Sequence, residues 1–151
     1  MKDFLDKAYK EALKARDEDE VPIGAVIVKD GKVIAKAHNR REKTNSALSH
    51  AEIICIEKAC KKINSWRLDG CELYVTLEPC LMCCGAITQA RISKVFFGAK
   101  DSKNGTVQSI AKVFDDINTT HNVEYEYLED EKCSEILSKF FIDIRNSKKN
   151  K

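Results

Sequence analysis

Residues 72–90 read Glu-Leu-Tyr-Val-Thr-Leu-Glu-Pro-Cys-Leu-Met-Cys-Cys-Gly-Ala-Ile-Thr-Gln-Ala, and this stretch decides the fold. Its first part, Glu72 to Leu77, is short, apolar and rich in branched and aromatic side chains, the composition of a buried strand. Pro79 fixes φ and removes a backbone donor, so the strand stops there and Pro79 to Ala90 reads as a helix. Lys94 to Phe97 reads as the next strand. A strand, a crossover helix and a second strand in this order require two parallel strands in one sheet.

Upstream, Pro22 to Val28 is apolar, Asp30-Gly31 is a two-residue turn signal, and Val33 to Ala37 follows as a partner strand, so the three make a hairpin. Phe4, Leu5, Ala8, Ala12 and Leu13 recur at helical spacing, which predicts an amphipathic helix over 2–16, ended by the acidic loop Asp17 to Glu20. Asn39 to Ser49 reads as a polar loop and Ala51 to Ile63 as a helix. Downstream, Val107 to Phe114 reads as helical, Val123 to Leu128 as extended and Glu131 to Arg145 as helical. Residues 146–151 read as a flexible basic tail. The order α-β-β-α-β-α-β-α-β-α predicts one domain over 1–151, an α/β fold in which a single mixed five-stranded sheet is flanked by helices, its last two strands parallel.

A chain of 151 residues is long enough to bury a sizeable core, and 43% hydrophobic with 33% charged residues is ordinary for a folded domain. The 26 basic and 24 acidic side chains nearly cancel, which argues against a strongly electrostatic nucleic-acid coat but leaves room for a local basic patch. One candidate is the C-terminus, where Lys132, Lys139, Arg145, Lys148, Lys149 and Lys151 face only Glu135 and Asp143. No stretch approaches the roughly 20 apolar residues of a membrane span. Asp3, Asp6 and Glu11 make the first segment unlike a signal or transit peptide, so a cytoplasmic location is expected. There the seven cysteines are free thiols or metal ligands, and an odd number cannot pair completely within one chain.

Two strings carry candidate chemistry: Ser49-His50-Ala51-Glu52 at the start of one helix, and Glu78-Pro79-Cys80-Leu81-Met82-Cys83 where a strand becomes a helix. His and Cys are the preferred zinc ligands, and three of them leave one coordination position open, as a catalytic site requires. Cys80 and Cys83, three apart, share a helix face at the N-terminal turn, where the dipole favours thiolates. His50 and Glu52, two apart, can address one site only if it lies at the helix end. The simplest architecture sets the two helix N-termini face to face. Plainer readings exist for each part: Ser49-x-x-Glu52 matches a capping box, Cys-x-x-Cys matches a redox pair, and Pro79 matches a helix-starting proline. The conjunction of His-x-Glu with a later Pro-Cys-x-x-Cys is the signature of the zinc deaminases. Cys84 is a conceivable substitute for Cys83. Cys55, Cys60, Cys71 and Cys133 have no ligand partners at useful spacing.

The run from Leu73 to Ile87 closely resembles the bacterial tRNA-specific adenosine deaminases of the cytidine deaminase-like superfamily. So do Val21 to Val26, Asn39-Arg40, Arg91-Ile92, Phe97 to Asp101 and Phe140-Phe141, and the resemblance runs from about Asp3 to Arg145. It implies a three-layer α-β-α cytidine deaminase-like fold and one Zn2+ per chain on His50, Cys80 and Cys83. Zinc-bound hydroxide would attack the amino-bearing carbon of adenine, with Glu52 shuttling protons, to give inosine and ammonia at the wobble position of a tRNA anticodon loop. Asn39, Ala51, Pro79 and Asp101 would contact the flipped nucleoside, though Asn39 could shape a turn, Asp101 cap a loop and Phe140-Phe141 pack in the core. Arg40, Arg41, Lys100, Lys103 and the tail are candidate phosphate contacts. A homodimer is implied, with neither membrane nor DNA as partner. Two other readings stay open: the same chemistry on free guanine or cytosine, and a purely structural zinc, which would need a fourth ligand from His38, His121 or a spare cysteine.

Overall fold

The computed structural model of the chain describes residues 1–149. Its elements are α1 (Lys2–Asp17), β1 (Gly24–Lys29), β2 (Lys32–His38), α2 (Arg41–Thr44), α3 (Ala51–Ile63), β3 (Glu72–Leu77), α4 (Leu81–Gln89), β4 (Lys94–Ala99), α5 (Val113–Asp116), β5 (Glu124–Tyr127) and α6 (Glu131–Lys149). The five strands form one mixed sheet in the order β2-β1-β3-β4-β5. β1 runs antiparallel to both β2 and β3, whereas β3, β4 and β5 run parallel, as the crossover helices require.

Period-two alternation in the central strands sorts their side chains onto two faces. Ala25, Ile27, Leu73, Val75, Val95 and Phe97 pack against Ala51, Cys55 and Ala59 of α3 and Cys84 and Ile87 of α4. Val26, Val28, Tyr74 and Phe96 pack on the other face against Leu5 and Ala8 of α1 and Cys133 of α6. The result is a three-layer α-β-α sandwich. Tyr74 and Phe96 stack with ring centroids 4.4 Å apart. α1 lies directly on the sheet at Gly24, where a Cβ would sit 2.0 Å from the Ala8 carbonyl oxygen. The β1–β2 turn is made by Asp30 (φ 51) and Gly31 (φ 75), both left-handed, as a two-residue hairpin turn demands.

Several boundaries differ from the sequence-based expectation. β1 starts at Gly24 rather than Pro22. The 39–49 loop contains the single turn α2, held from outside by the Glu20 carboxylate, which accepts the N–H groups of Glu42 and Lys43 at 3.0 and 2.7 Å. The helix expected over 107–114 does not form there. Residues 107–109 instead donate their N–H groups to Glu78, and only Val113–Asp116 is helical. α6 continues past Arg145 to Lys149, so 146–149 are helical rather than tail, and residues 150–151 lie outside the described residues. Among the described residues no helix is long and apolar enough to cross a membrane.

Candidate active site

α3 and α4 lie on the same sheet face, and their N-termini meet at the carboxyl end of β3. His50 is the N-cap of α3 (φ −75, ψ 153) and Cys80 the N-cap of α4 (φ −80, ψ 177), both in extended backbone just outside their helices. Pro79 therefore precedes the cap rather than opening the helix. Of the two cysteines only Cys83 is on the helix itself, and they meet because the cap and the first turn point to the same side. His50 Nδ1 lies 3.7 Å from Cys80 Sγ and 3.6 Å from Cys83 Sγ, and the three donor atoms all fall within 4.8 Å of one another.

The plainer reading of Ser49-x-x-Glu52 as a capping box does not hold: Ser49 is not the cap, and its hydroxyl instead accepts from Thr44 Oγ1 at 2.7 Å. Glu52, on the first turn of α3, is thereby left to the site, 4% exposed. Cys84 turns elsewhere. Its thiol points at the Pro79 carbonyl (3.8 Å) and accepts the Thr106 hydroxyl (3.3 Å). His38 is held between Glu11 and Glu18, and His121 lies 2.7 Å from the Ile92 carbonyl oxygen, so neither joins the cluster.

The electrostatics of the cluster follow from this crowding. Hydrogen bonding from Cys83, then from His50, pulls the Cys80 thiol down to about 4, while Cys83, next to that thiolate and buried, is pushed up. The Cys80 thiolate in turn raises His50. Burial raises the Glu52 carboxyl to about 7. The donor set suits a borderline-soft ion: one imidazole nitrogen and two sulfurs, of which at least one is readily a thiolate. A tetrahedral zinc at its usual bond lengths sets nitrogen and sulfur ligands about 3.5 Å apart, close to the spacing here.

The cluster lies in the floor of a cleft of about 990 Å³. Asn39 and Arg41 face it from one side, and Asp101, Lys103 and Asn104 from the other. Asn39 is buried, its amide donating to the Val21 carbonyl at 3.3 Å and accepting from Arg41 N at 3.3 Å. Ala51 is buried and faces the cleft. Pro79, expected to contact substrate, is buried next to the Cys80 cap, and its carbonyl accepts from Thr106 N at 3.0 Å. Asp101 faces the cleft while its Oδ1 caps the turn through Lys103 N and Asn104 N, both at 3.1 Å. Lys100 also faces the cleft, whereas Arg40 does not. Phe141, 47% exposed, stands at the rim instead of in the core.

Sequence reasoning passed over Glu78 although it lies within the quoted motif. It is 2% exposed and accepts the N–H groups of Asp101, Val107, Gln108 and Ser109. Burial would raise its carboxyl, but the donors of Gln108, Ser109 and Asp101 outweigh that and hold it below the ordinary range. The available signal was a glutamate at the end of a buried strand with no basic neighbour in the sequence.

Residues 1–145 match the MafB19-like deaminase family. The chain is 47% identical over 144 residues to the tRNA-specific adenosine deaminase of Aquifex aeolicus, covering 95% of each chain. It is also similar to a solved structure from work on A-to-I editing by tRNA:A34 deaminases at the wobble position of transfer RNA, with a TM-score of 0.87 and 43% identity over 91% of this chain and 100% of that one. A guanine deaminase structure from Bacillus subtilis matches with a TM-score of 0.64 and 34% identity over 96% of this chain and 93% of that one.

Proposed function

This chain belongs to the deaminase family that includes the bacterial tRNA-specific adenosine deaminases, and from that premise we propose that it converts adenosine to inosine at the wobble position of a tRNA anticodon loop, consuming water and releasing ammonia. The observation that carries this is the meeting of His50 with Cys80 and Cys83 beside the buried Glu52 carboxyl, in the floor of one cleft. These three side chains would hold one zinc ion per chain, which when bound lowers the pKa of water to about 7 and so supplies a nucleophile at neutral pH.

Glu52 moves the protons. Burial raises its carboxyl toward neutrality, which suits a group that must both accept and donate, so it can take a proton from the attacking water, pass it to the ring nitrogen and then help ammonia leave. The Asn39 amide, fixed by Val21 and Arg41, offers hydrogen bonds to the base edge, Ala51 leaves room for the ring, and Asp101 stands on the wall where the ribose would lie. An unstacked loop base is the substrate such a recessed site can reach. Arg41, Lys100 and Lys103 around the cleft suit the flanking phosphates. A homodimer is the companion proposal, supported by the exposed Leu81 and Ile110 at the cleft, and a tRNA substrate implies a cytoplasmic site of action.

Incubation of the zinc-loaded protein with an anticodon stem-loop RNA carrying a wobble adenosine should give inosine by mass spectrometry. Glu52→Gln should bind zinc equally while its rate falls by about 10²–10⁴, the range of general acid–base catalysis. Absence of inosine from a folded, zinc-loaded sample overturns the proposal. The similarity to a guanine deaminase keeps one second reading, and ammonia released from free guanine with the RNA untouched would decide for it.

A further inference from the structure

Resting on that function, we infer that the Glu78 carboxylate is a positioning residue, which shapes the loop from Asp101 to Ile110 into the RNA-binding wall of the cleft. Its Oε1 accepts Asp101 N at 3.1 Å and the Ser109 hydroxyl, and its Oε2 accepts the N–H groups of Val107, Gln108 and Ser109 at 3.0, 2.8 and 3.0 Å. Among the described residues no lysine, arginine or histidine forms an ion pair with it. A carboxylate buried without a cation is costly unless its lone pairs are satisfied, so any loop movement that strips these donors is strongly opposed.

The enclosure is tight. A Cβ on Gly105 would lie 2.4 Å from Glu78 Cδ and 2.6 Å from the Asp101 carbonyl oxygen, so only glycine lets the loop close over the carboxylate. The same loop is tied to the turn before Cys80, because Thr106 N donates to the Pro79 carbonyl at 3.0 Å, and Glu78 N donates to the Ala99 carbonyl at 2.8 Å. Asp101, Lys103, Asn104, Thr106 and Ile110 of this loop face the cleft. The chemistry, by contrast, is carried by His50, Glu52, Cys80 and Cys83, on the first turns and caps of α3 and α4. The five donors that fix the wall converge on Glu78, whereas the reaction centre is set by the caps and first turns of α3 and α4, so loosening Glu78 should damage binding more than turnover.

The test compares Glu78→Gln, Gly105→Ala and Ser109→Ala with the unaltered protein, all zinc-loaded, on the wobble-adenosine stem-loop. Glu78→Gln keeps the size but turns one acceptor oxygen into a donor facing N–H groups. Gly105→Ala drives a methyl group into the carboxylate. For these two variants KM should rise about tenfold or more, equivalent to about 1.4 kcal/mol, with kcat within about threefold and zinc content unchanged. Direct RNA binding by fluorescence anisotropy should weaken in parallel, and the amides of Asp101 and residues 107–109 should exchange hydrogen faster. Ser109→Ala, which removes one donor of five, should shift KM by about two- to threefold. An unchanged KM in folded, zinc-replete Glu78→Gln and Gly105→Ala overturns the inference, as does a fall in kcat at constant KM. If Glu78→Gln fails to fold, the other two variants decide. If the unaltered protein makes no inosine, the proposed function has failed, and RNA binding with amide exchange decides the role of Glu78 separately.

Discussion

At the scale of single residues, the site depends on which way neighbouring side chains leave the backbone. Cys83 and Cys84 are adjacent on α4 and chemically identical, yet a helix turns about 100° per residue. Cys83 Sγ therefore lies 3.6 Å from His50 Nδ1, while Cys84 is directed to Pro79 and Thr106. The two thiols should respond oppositely to the same substitution. Cys83→Ser should weaken zinc binding by at least about 10–100-fold, a loss that even an outer-shell partner can cause, and abolish deamination. Cys84→Ser should keep a full complement of metal. Metal analysis of the two purified variants after dialysis checks this, and equal zinc content in both would move the ligand assignment away from Cys83.

At the scale of elements, the segment that carries Asn39 and Arg41 is fastened to α1 and its C-cap by the contacts of His38 with Glu11 and Glu18 and by the Lys43–Glu18 ion pair. Glu11, 5% exposed, accepts from Lys14 Nζ at 2.7 Å and lies 3.2 Å from His38 Nδ1, while Glu18 sits 2.8 Å from His38 Nε2 and 3.2 Å from Lys43 Nζ. Burial would raise the Glu11 carboxyl, but Lys14 and His38 more than offset it and hold it below the ordinary glutamate value of 4.5. A carboxyl depressed in the folded state adds stability above its unfolded pKa, and that stability is lost as pH falls through the folded value. Glu11→Gln should therefore destabilise by about 1.5–3 kcal/mol at neutral pH, the range for a hydrogen bond to a charged group. The gap between variant and parent should narrow as the solution is acidified below 4.5, the ordinary glutamate value. Urea unfolding across that interval measures it, and a gap independent of pH would show that the Glu11 charge is not what its partners Lys14 and His38 stabilise.

At the scale of the whole molecule, one sheet carries two cores, and the site rests on only one of them. Phe97, fully buried, belongs to the face that supports α3 and α4. Phe97→Ala should cost about 3–5 kcal/mol of stability. Tyr74→Ala, on the face beneath α1, should cost a comparable amount but leave the zinc affinity of the folded fraction less changed. Thermal unfolding with metal titration checks both, and equal loss of zinc affinity in the two would contradict the division. Much of this architecture was legible along the chain. α3 over Ala51–Ile63 and β3 over Glu72–Leu77 were legible as segments, β3 from its short apolar composition, the parallel strands follow from the crossover helix, and the two motif strings follow from residue chemistry at short spacing. Those features are local, or are set by chain connectivity. Only the tertiary structure decided that the Pro79 carbonyl is taken by Thr106, that 107–109 bend around Glu78 instead of forming a helix, and that Glu52 is left uncapped and buried beside the cluster. The reason is physical: the first two outcomes are set by partners 27 to 31 residues apart, and the third by burial once Thr44 engages the Ser49 hydroxyl, and neither long-range pairing nor desolvation has a signature in the order of neighbouring side chains.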